Sequence, residues 1–131
     1  MTIKVIFIED DAMNRRVVRD MLKVAGATMV EATDAFSGLA AIDREDFDLI
    51  LVDLRMPGMS GIEAIEHIRA RNDAKATLPI IVVTADIAPD LREKCLAVGA
   101  DDVLFKPVAM NKLFDAIGRI VARRADGGLI S

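Results

Sequence analysis

Short, uninterrupted hydrophobic runs alternate along this chain with segments whose apolar positions recur every three or four residues. The runs at 5–8, 49–52, 80–83 and 103–105 are rich in β-branched residues, the form taken by parallel strands buried on both faces. They predict strands over 3–8, 49–53, 80–83 and 103–105, with a weaker strand over 28–32. Between them, Val17, Val18, Met21 and Leu22 mark one face of a helix over 13–25, closed by Gly26. Leu39 and Ile42 mark a second helix over 35–45, and Ile62, Ile65 and Ile68 a third. The segment 72–77 reads as an exposed connection, and Pro79 opens strand four, where a missing donor does least harm. Pro89 and Gly99 bracket a fourth helix. Leu113, Ala116, Ile117, Ile120 and Val121 form the cleanest amphipathic stripe, on a fifth.

Five βα units in alternation predict a doubly wound α/β fold, because right-handed crossovers must lay each helix on one face or the other of a parallel sheet. The five-stranded order 2-1-3-4-5 suits this count and makes strands one and three neighbours at the switch point. The expected organisation is one domain over 1–125 and a flexible tail over 126–131, where Asp126-Gly127-Gly128 reads as frayed.

The polar residues that end the runs carry the chemistry. Asp10, Asp53, Thr84 and Lys106 each follow a hydrophobic run, so four units deliver them to the carboxyl edge of the sheet, where ligands collect in such folds. Any one of them alone reads more simply as a turn former or cap, as Asp11 does before the first helix. Together they form one site. Asp10 and Asp53, on adjacent strands ~4.8 Å apart, repel each other unless a cation lies between them. Mg2+ is the natural candidate, being a hard ion that takes one or two carboxylates, waters and phosphate oxygens. Glu9 supplies a further carboxylate, through water. The lack of a His or Cys cluster argues against zinc.

In this order the motifs are Glu9-Asp10, then Asp53-Leu54-Arg55-Met56-Pro57-Gly58 with Gly61 behind it, Thr84-Ala85 and Lys106-Pro107. The chain resembles a response-regulator receiver domain, the CheY-like (flavodoxin-like) phosphoacceptor module of two-component signalling, from about residue 3 to 121. The resemblance implies that Asp53 accepts a phosphoryl group from a histidine kinase or histidine phosphotransfer protein, with Mg2+ held by Glu9, Asp10, Asp53 and the main-chain carbonyl of Arg55. It further implies that Lys106 contacts the phosphoryl group, that Thr84 hydrogen-bonds it, and that the Lys106-Pro107 bond is cis. The output is then a switch read by a downstream effector protein, the chain acting as a monomer or as a phosphorylation-dependent dimer, rather than an enzyme turnover. Two departures stand out. Val103 occupies the position where the family often has Tyr or Phe, and Arg55 and Asp86 flank the site where receivers vary. Phe105 reads as a core residue.

Composition narrows the alternatives. A net charge of −4 argues against nucleic acid as a partner, and the cluster Arg119, Arg123 and Arg124 suits a helix C-terminus. No apolar run approaches the ~18 residues needed to span a membrane, and the first residues lack a secretory signal, so the expected location is cytoplasmic. The single Cys95 reads as a small buried hydrophobe, and His67 as a solvated helix residue. A haloacid-dehalogenase-type, Mg-dependent phosphohydrolase would need a second Asp where Arg55 stands, and a flavodoxin-type carrier would not place Glu9-Asp10-Asp11 against a phosphate. A degenerate receiver that only binds partners is the remaining alternative.

Overall fold

The computed structural model describes residues 2–123, together with the backbone course of the last helix; the tail expected over 126–131 lies outside the described residues. Five strands, β1 (Lys4–Ile8), β2 (Thr28–Ala32), β3 (Leu49–Val52), β4 (Ile80–Thr84) and β5 (Asp102–Phe105), form one parallel sheet in the order β2-β1-β3-β4-β5. The helices are α1 (Ala12–Val24), α2 (Ala35–Arg44), α3 (Gly61–Arg69), α4 (Leu91–Val98) and α5 (Met110–Ile130). The expected order is therefore the observed one. Ile8 pairs with Ala32 on one side and Val52 on the other, which sets the ends of β1 and β3 side by side.

The continuous hydrophobic runs are explained by two cores. Alternate residues of each strand point to opposite faces. Ile6, Ile8, Ile50, Val52, Ile80 and Val82 pack with α2, α3 and α4 through residues such as Ile42, Ile65 and Cys95. Val5, Phe7, Leu49, Leu51, Ile81 and Val83 pack with α1 and α5 through Val18, Leu22, Leu113 and Ala116. A strand sandwiched in this way has no polar face to offer. Truncating a fully buried member such as Ile65 to Ala would cost ~2–5 kcal/mol.

Local capping explains where helices begin. Asp11 caps α1, its side chain accepting from the Asn14 amide at 3.0 Å, as the sequence indicates. Ser60 and Glu63 form a reciprocal capping box at the start of α3, satisfying two amides that the helix itself cannot. Gly99 ends α4 in the left-handed region with φ 116°.

Several expectations are corrected. Val17 and Val121 are exposed, so the apolar stripes of α1 and α5 are narrower than their sequences suggest. Phe105 shares its strand face with Val103 yet is 44% exposed, because β5 is an edge strand and its last residue overruns the cover of α4. The helix bracketed by Pro89 starts two residues later, at Leu91, and the connection after α3 contains a 3-10 turn over Ala74–Thr77. Arg119 answers a carboxylate, Asp102, at 2.7 Å rather than a helix terminus. Cys95 is buried and His67 exposed, as expected.

Candidate functional site

The parallel register carries the polar residues at the strand ends to one edge. Asp53 follows β3 directly, and its amide donates to the Ile8 carbonyl at 3.0 Å, which ties the β3 end to the residue just before Glu9. Thr84 is the last residue of β4 and Lys106 follows β5. The Lys106 amide donates to the Thr84 carbonyl at 2.8 Å, and the Lys106–Pro107 peptide is cis. The six residues picked out from the sequence, Glu9, Asp10, Asp53, Arg55, Thr84 and Lys106, therefore converge at the carboxyl edge.

A pocket of about 250 Å³ opens there. Asp53 and Lys106 line it from the sheet, Thr84 and Ala85 from the end of β4, and Arg55, Asp86 and Ile87 from the two loops. Asp53 is 5% exposed. Its Oδ1 accepts from the Leu54 amide at 2.8 Å and its Oδ2 from Lys106 Nζ at 3.2 Å. Lys106 also donates to Glu9 Oε1 at 2.5 Å. Thr84 is buried, and its Oγ1 accepts from the Asp86 amide at 3.1 Å, which leaves its own proton free to donate. Arg55 and Asp86 pair across the entrance at 3.2 Å.

The loop that presents Asp53 depends on a glycine. A Cβ at Gly61 would lie 2.2 Å from the Asp53 carbonyl oxygen, closer than any side chain allows. Only glycine lets α3 begin this near the acidic residue, and the Gly61 amide uses that proximity to donate to the Leu54 carbonyl at 2.9 Å. The second glycine of the sequence motif thus has a geometric cause.

The electrostatics are unbalanced. Ligand oxygens of Glu9, Asp10 and Asp53 all lie within 4.8 Å of one another, and one ammonium, that of Lys106, reaches two of the three carboxylates. Burial pushes the Glu9 carboxyl up to about 7; the Lys106 hydrogen bond opposes this, and the neighbouring Asp53 adds to it. Burial also works against the Lys106 ammonium, but its bond to Glu9 and the charges of Asp53 and Glu9 outweigh it and hold its pKa above the ordinary lysine value. Exposed Asp10 and buried Asp53 supply hard oxygen donors without a soft ligand, so the donor set fits a hard dication. Glu9, expected to reach the ion through a water, is fully buried, with one oxygen on Lys106 and the other 3.4 Å from the Asp11 amide. Ile87, 84% exposed on the pocket rim, is a lining residue that the sequence does not reveal, because an apolar residue in a loop carries no periodic signal.

Among the described residues, no helix is long and apolar enough to cross a membrane. Comparison with known proteins agrees with the geometry. The family model for the response regulator receiver domain matches residues 5–118. The chain is 39% identical over 120 residues to the sensor histidine kinase AruS of Pseudomonas aeruginosa, covering 90% of this chain and 12% of that protein. It is 34% identical over 118 residues to the sensor protein GacS of Pseudomonas syringae, covering 87% and 13%. It therefore spans well under a third of the length of these relatives. Among solved structures, the chemotaxis response regulator CheY4 of Vibrio cholerae superposes with a TM-score of 0.83 at 30% identity, over 92% of this chain and 99% of that one. The receiver domain of a Pseudomonas aeruginosa sensor histidine kinase, solved with a magnesium ion in its active site cleft, gives 0.84 at 30% identity, over 93% and 99%. With the strand order, the acidic edge and the family match in agreement, this chain belongs to the response regulator receiver domain family of two-component signalling.

Proposed function

We propose that this chain is a phosphorylatable switch in which Asp53 accepts a phosphoryl group from a phosphohistidine on a histidine kinase or histidine phosphotransfer protein. The observation that carries this reading is the Asp53 carboxylate at the floor of an open pocket, with Lys106 Nζ 3.2 Å away and the Thr84 hydroxyl on the wall. A carboxylate oxygen of Asp53 attacks phosphorus as the P–N bond to the donor imidazole breaks. The electron pair of that bond returns to the ring nitrogen; the donor ring, protonated at its other nitrogen, thereby leaves as a neutral histidine, and the product is an acyl phosphate. Lys106 stabilises negative charge on the transferring oxygens as a mobile point charge. Thr84, whose proton is free, hydrogen-bonds the new group. Glu9, Asp10, Asp53 and the main-chain carbonyl of Arg55 would hold Mg2+, whose contribution is to neutralise charge on the phosphoryl oxygens.

The new charge at one spot draws Thr84 and the loop after it toward Asp53 and changes the face that an effector protein reads. The route is set by Thr84 and the Asp86 amide bonded to it, since Val103, 4% exposed, has no polar group with which to follow the switch. We place the module in the cytoplasm, where kinase donors are charged by ATP.

The test is intact mass after incubation with acetyl phosphate and Mg2+. One phosphoryl adduct is expected on the wild-type chain and none on Asp53→Asn or in excess chelator. Sizing the adduct separates a monomer from a dimer formed on phosphorylation. A chain that gains no adduct from acetyl phosphate or from a phosphorylated kinase, and takes no Mg2+, is a binding module rather than a phosphoacceptor.

A further inference from the structure

Arg15 lies near the start of α1, yet its side chain turns back to the sheet edge and is only 14% exposed. Its Nη1 donates to the main-chain carbonyl of Glu9 at 2.7 Å, and its Nε to Glu31 Oε1 on β2 at 3.0 Å. The other Glu31 oxygen pairs with Arg19. The phosphoryl chemistry above uses none of these groups.

The bonded carbonyl occupies a critical place. The β1–β2 ladder extends to the Glu9 amide, which donates to Ala32 at 2.9 Å, and β2 then ends. The strand pairing has no further amide to give the Glu9 carbonyl, and Arg15 fills that role. Because the peptide unit is planar, the Glu9 carbonyl and the Asp10 amide turn as one body. Fixing the carbonyl fixes the direction in which Glu9 leaves the chain toward Lys106 and in which Asp10 leaves it toward Asp53.

We propose that Arg15 is a positioning residue for the Mg2+ site: its guanidinium ties the Glu9–Asp10 peptide to β2 through Glu31, and so presets the two carboxylates that follow β1. This rests on reading the acidic cluster as a Mg2+ site. Arginine suits the task because its rigid fork presents two donors at a fixed angle, one to the carbonyl and one to Glu31, whereas a lysine offers a single point charge. Glu31 has a second part in the arrangement. It neutralises a guanidinium that would otherwise oppose a dication nearby.

The experiment is calorimetric titration of Mg2+ into the full chain, comparing wild type with Arg15→Gln, Arg15→Lys, Glu31→Gln and Arg19→Gln, each checked for its thermal midpoint. Partners that orient metal ligands typically change affinity 10–100-fold. Arg15→Gln is expected to weaken Mg2+ binding by roughly tenfold, Arg15→Lys to recover part of that loss, and Glu31→Gln to weaken binding as well. Arg19→Gln breaks an ion pair to the same glutamate without touching the Glu9 carbonyl, and should stay within about twofold of wild type. Arg15→Gln and Arg15→Lys both binding as wild type would overturn the inference alone, as would Arg19→Gln losing as much affinity as Arg15→Gln. Should Arg15→Gln fail to fold, Arg15→Lys decides. A wild-type chain that takes no Mg2+ overturns the reading of the site and this inference with it.

Discussion

Two aspartates are buried among the described residues, and the sheet treats them in opposite ways. Asp102 begins β5 and is 6% exposed. Its oxygens receive Arg92 of α4 at 2.9 Å, Arg119 of α5 at 2.7 Å and the Val103 amide at 2.8 Å. Asp53 follows β3 and is 5% exposed, but it shares Lys106 with Glu9 and has Asp10 nearby. One carboxylate has more cations than it needs and joins two helices to an edge strand. The other belongs to a group with more negative charge than its cation can answer, beside an open pocket. Buried charge by itself therefore marks neither role; the local balance separates a clamp from the site proposed to react.

The sharpest way to break this contrast is to neutralise each aspartate in turn. Asp53→Asn should abolish the phosphoryl adduct completely while raising unfolding stability by about 1 kcal/mol, since it removes one of several clustered anions. Asp102→Asn should leave the adduct unchanged and lower stability by about 1–2 kcal/mol, because two charge-assisted bonds weaken while the half-exposed arginines regain water. Mass spectrometry and urea denaturation read the two axes. Equal stability changes of the same sign would end the distinction drawn here.

Lys106→Met comes next in size. Without the ammonium, roughly a hundredfold loss in the rate of adduct formation is expected, the scale seen when one electrostatic donor is removed from a transition state. The same substitution should tighten Mg2+ binding, because Lys106 and a dication compete for the same carboxylates. Stopped acetyl phosphate reactions analysed by mass give the first quantity and calorimetry the second.

The same charge balance explains what could be read from sequence. Asp10, Asp53, Thr84 and Lys106 were legible because each interrupts a hydrophobic run at the same structural position, and a parallel sheet collects such positions at one edge. Alternation of elements implied a doubly wound sheet, and the count of five strands selected the order from the two common for such sheets. Asp102 was not legible, since its partners Arg92 and Arg119 lie 10 and 17 residues away on helices whose rotation about the sheet no local pattern fixes. Glu9 was placed among the acidic residues, but its burial against Lys106 depends on a side chain 97 residues distant. Phe105 departs from its expected burial because alternation gives the face a residue points to, whereas exposure depends on how far α4 covers that face.

Glu9 sharpens the comparison through pH. Its carboxyl titrates at about 7 in the folded chain against an ordinary 4.5, so between those values the folded state binds the proton that the unfolded state has released. In the Mg2+-free chain Glu9 must therefore lower stability as pH rises from about 4.5 to about 7, the reverse of a carboxylate whose pKa folding depresses. Urea midpoints across that range should fall for wild type relative to Glu9→Gln. Parallel pH profiles for the two chains would show that Glu9 stays ionised, and that Lys106 satisfies it as completely as the arginines satisfy Asp102.

The smallest effect belongs to Arg55 and Asp86, which pair at 3.2 Å with the Arg55 side chain 80% exposed. Hydrogen bonding from the Ala88 amide, then from Arg55, holds the Asp86 carboxyl below its usual range. Water competes for both partners, so Arg55→Ala should leave the unfolding midpoint unchanged within error, in contrast to Asp102→Asn. The pair nevertheless lies across the mouth of the pocket that contains Asp53, where it would stand in the path of water to a phosphorylated Asp53. Loss of the adduct after donor removal should therefore be faster in Arg55→Ala, by about threefold or less because an exposed side chain is only a partial barrier, and high salt should bring wild type toward the variant by screening the pair. An unchanged lifetime at both salt concentrations would make this a surface ion pair with no part in the switch. A longer lifetime would mean that Arg55 helps to bring water in, and that even the weakest charge pair at this edge contributes to reactivity rather than to stability.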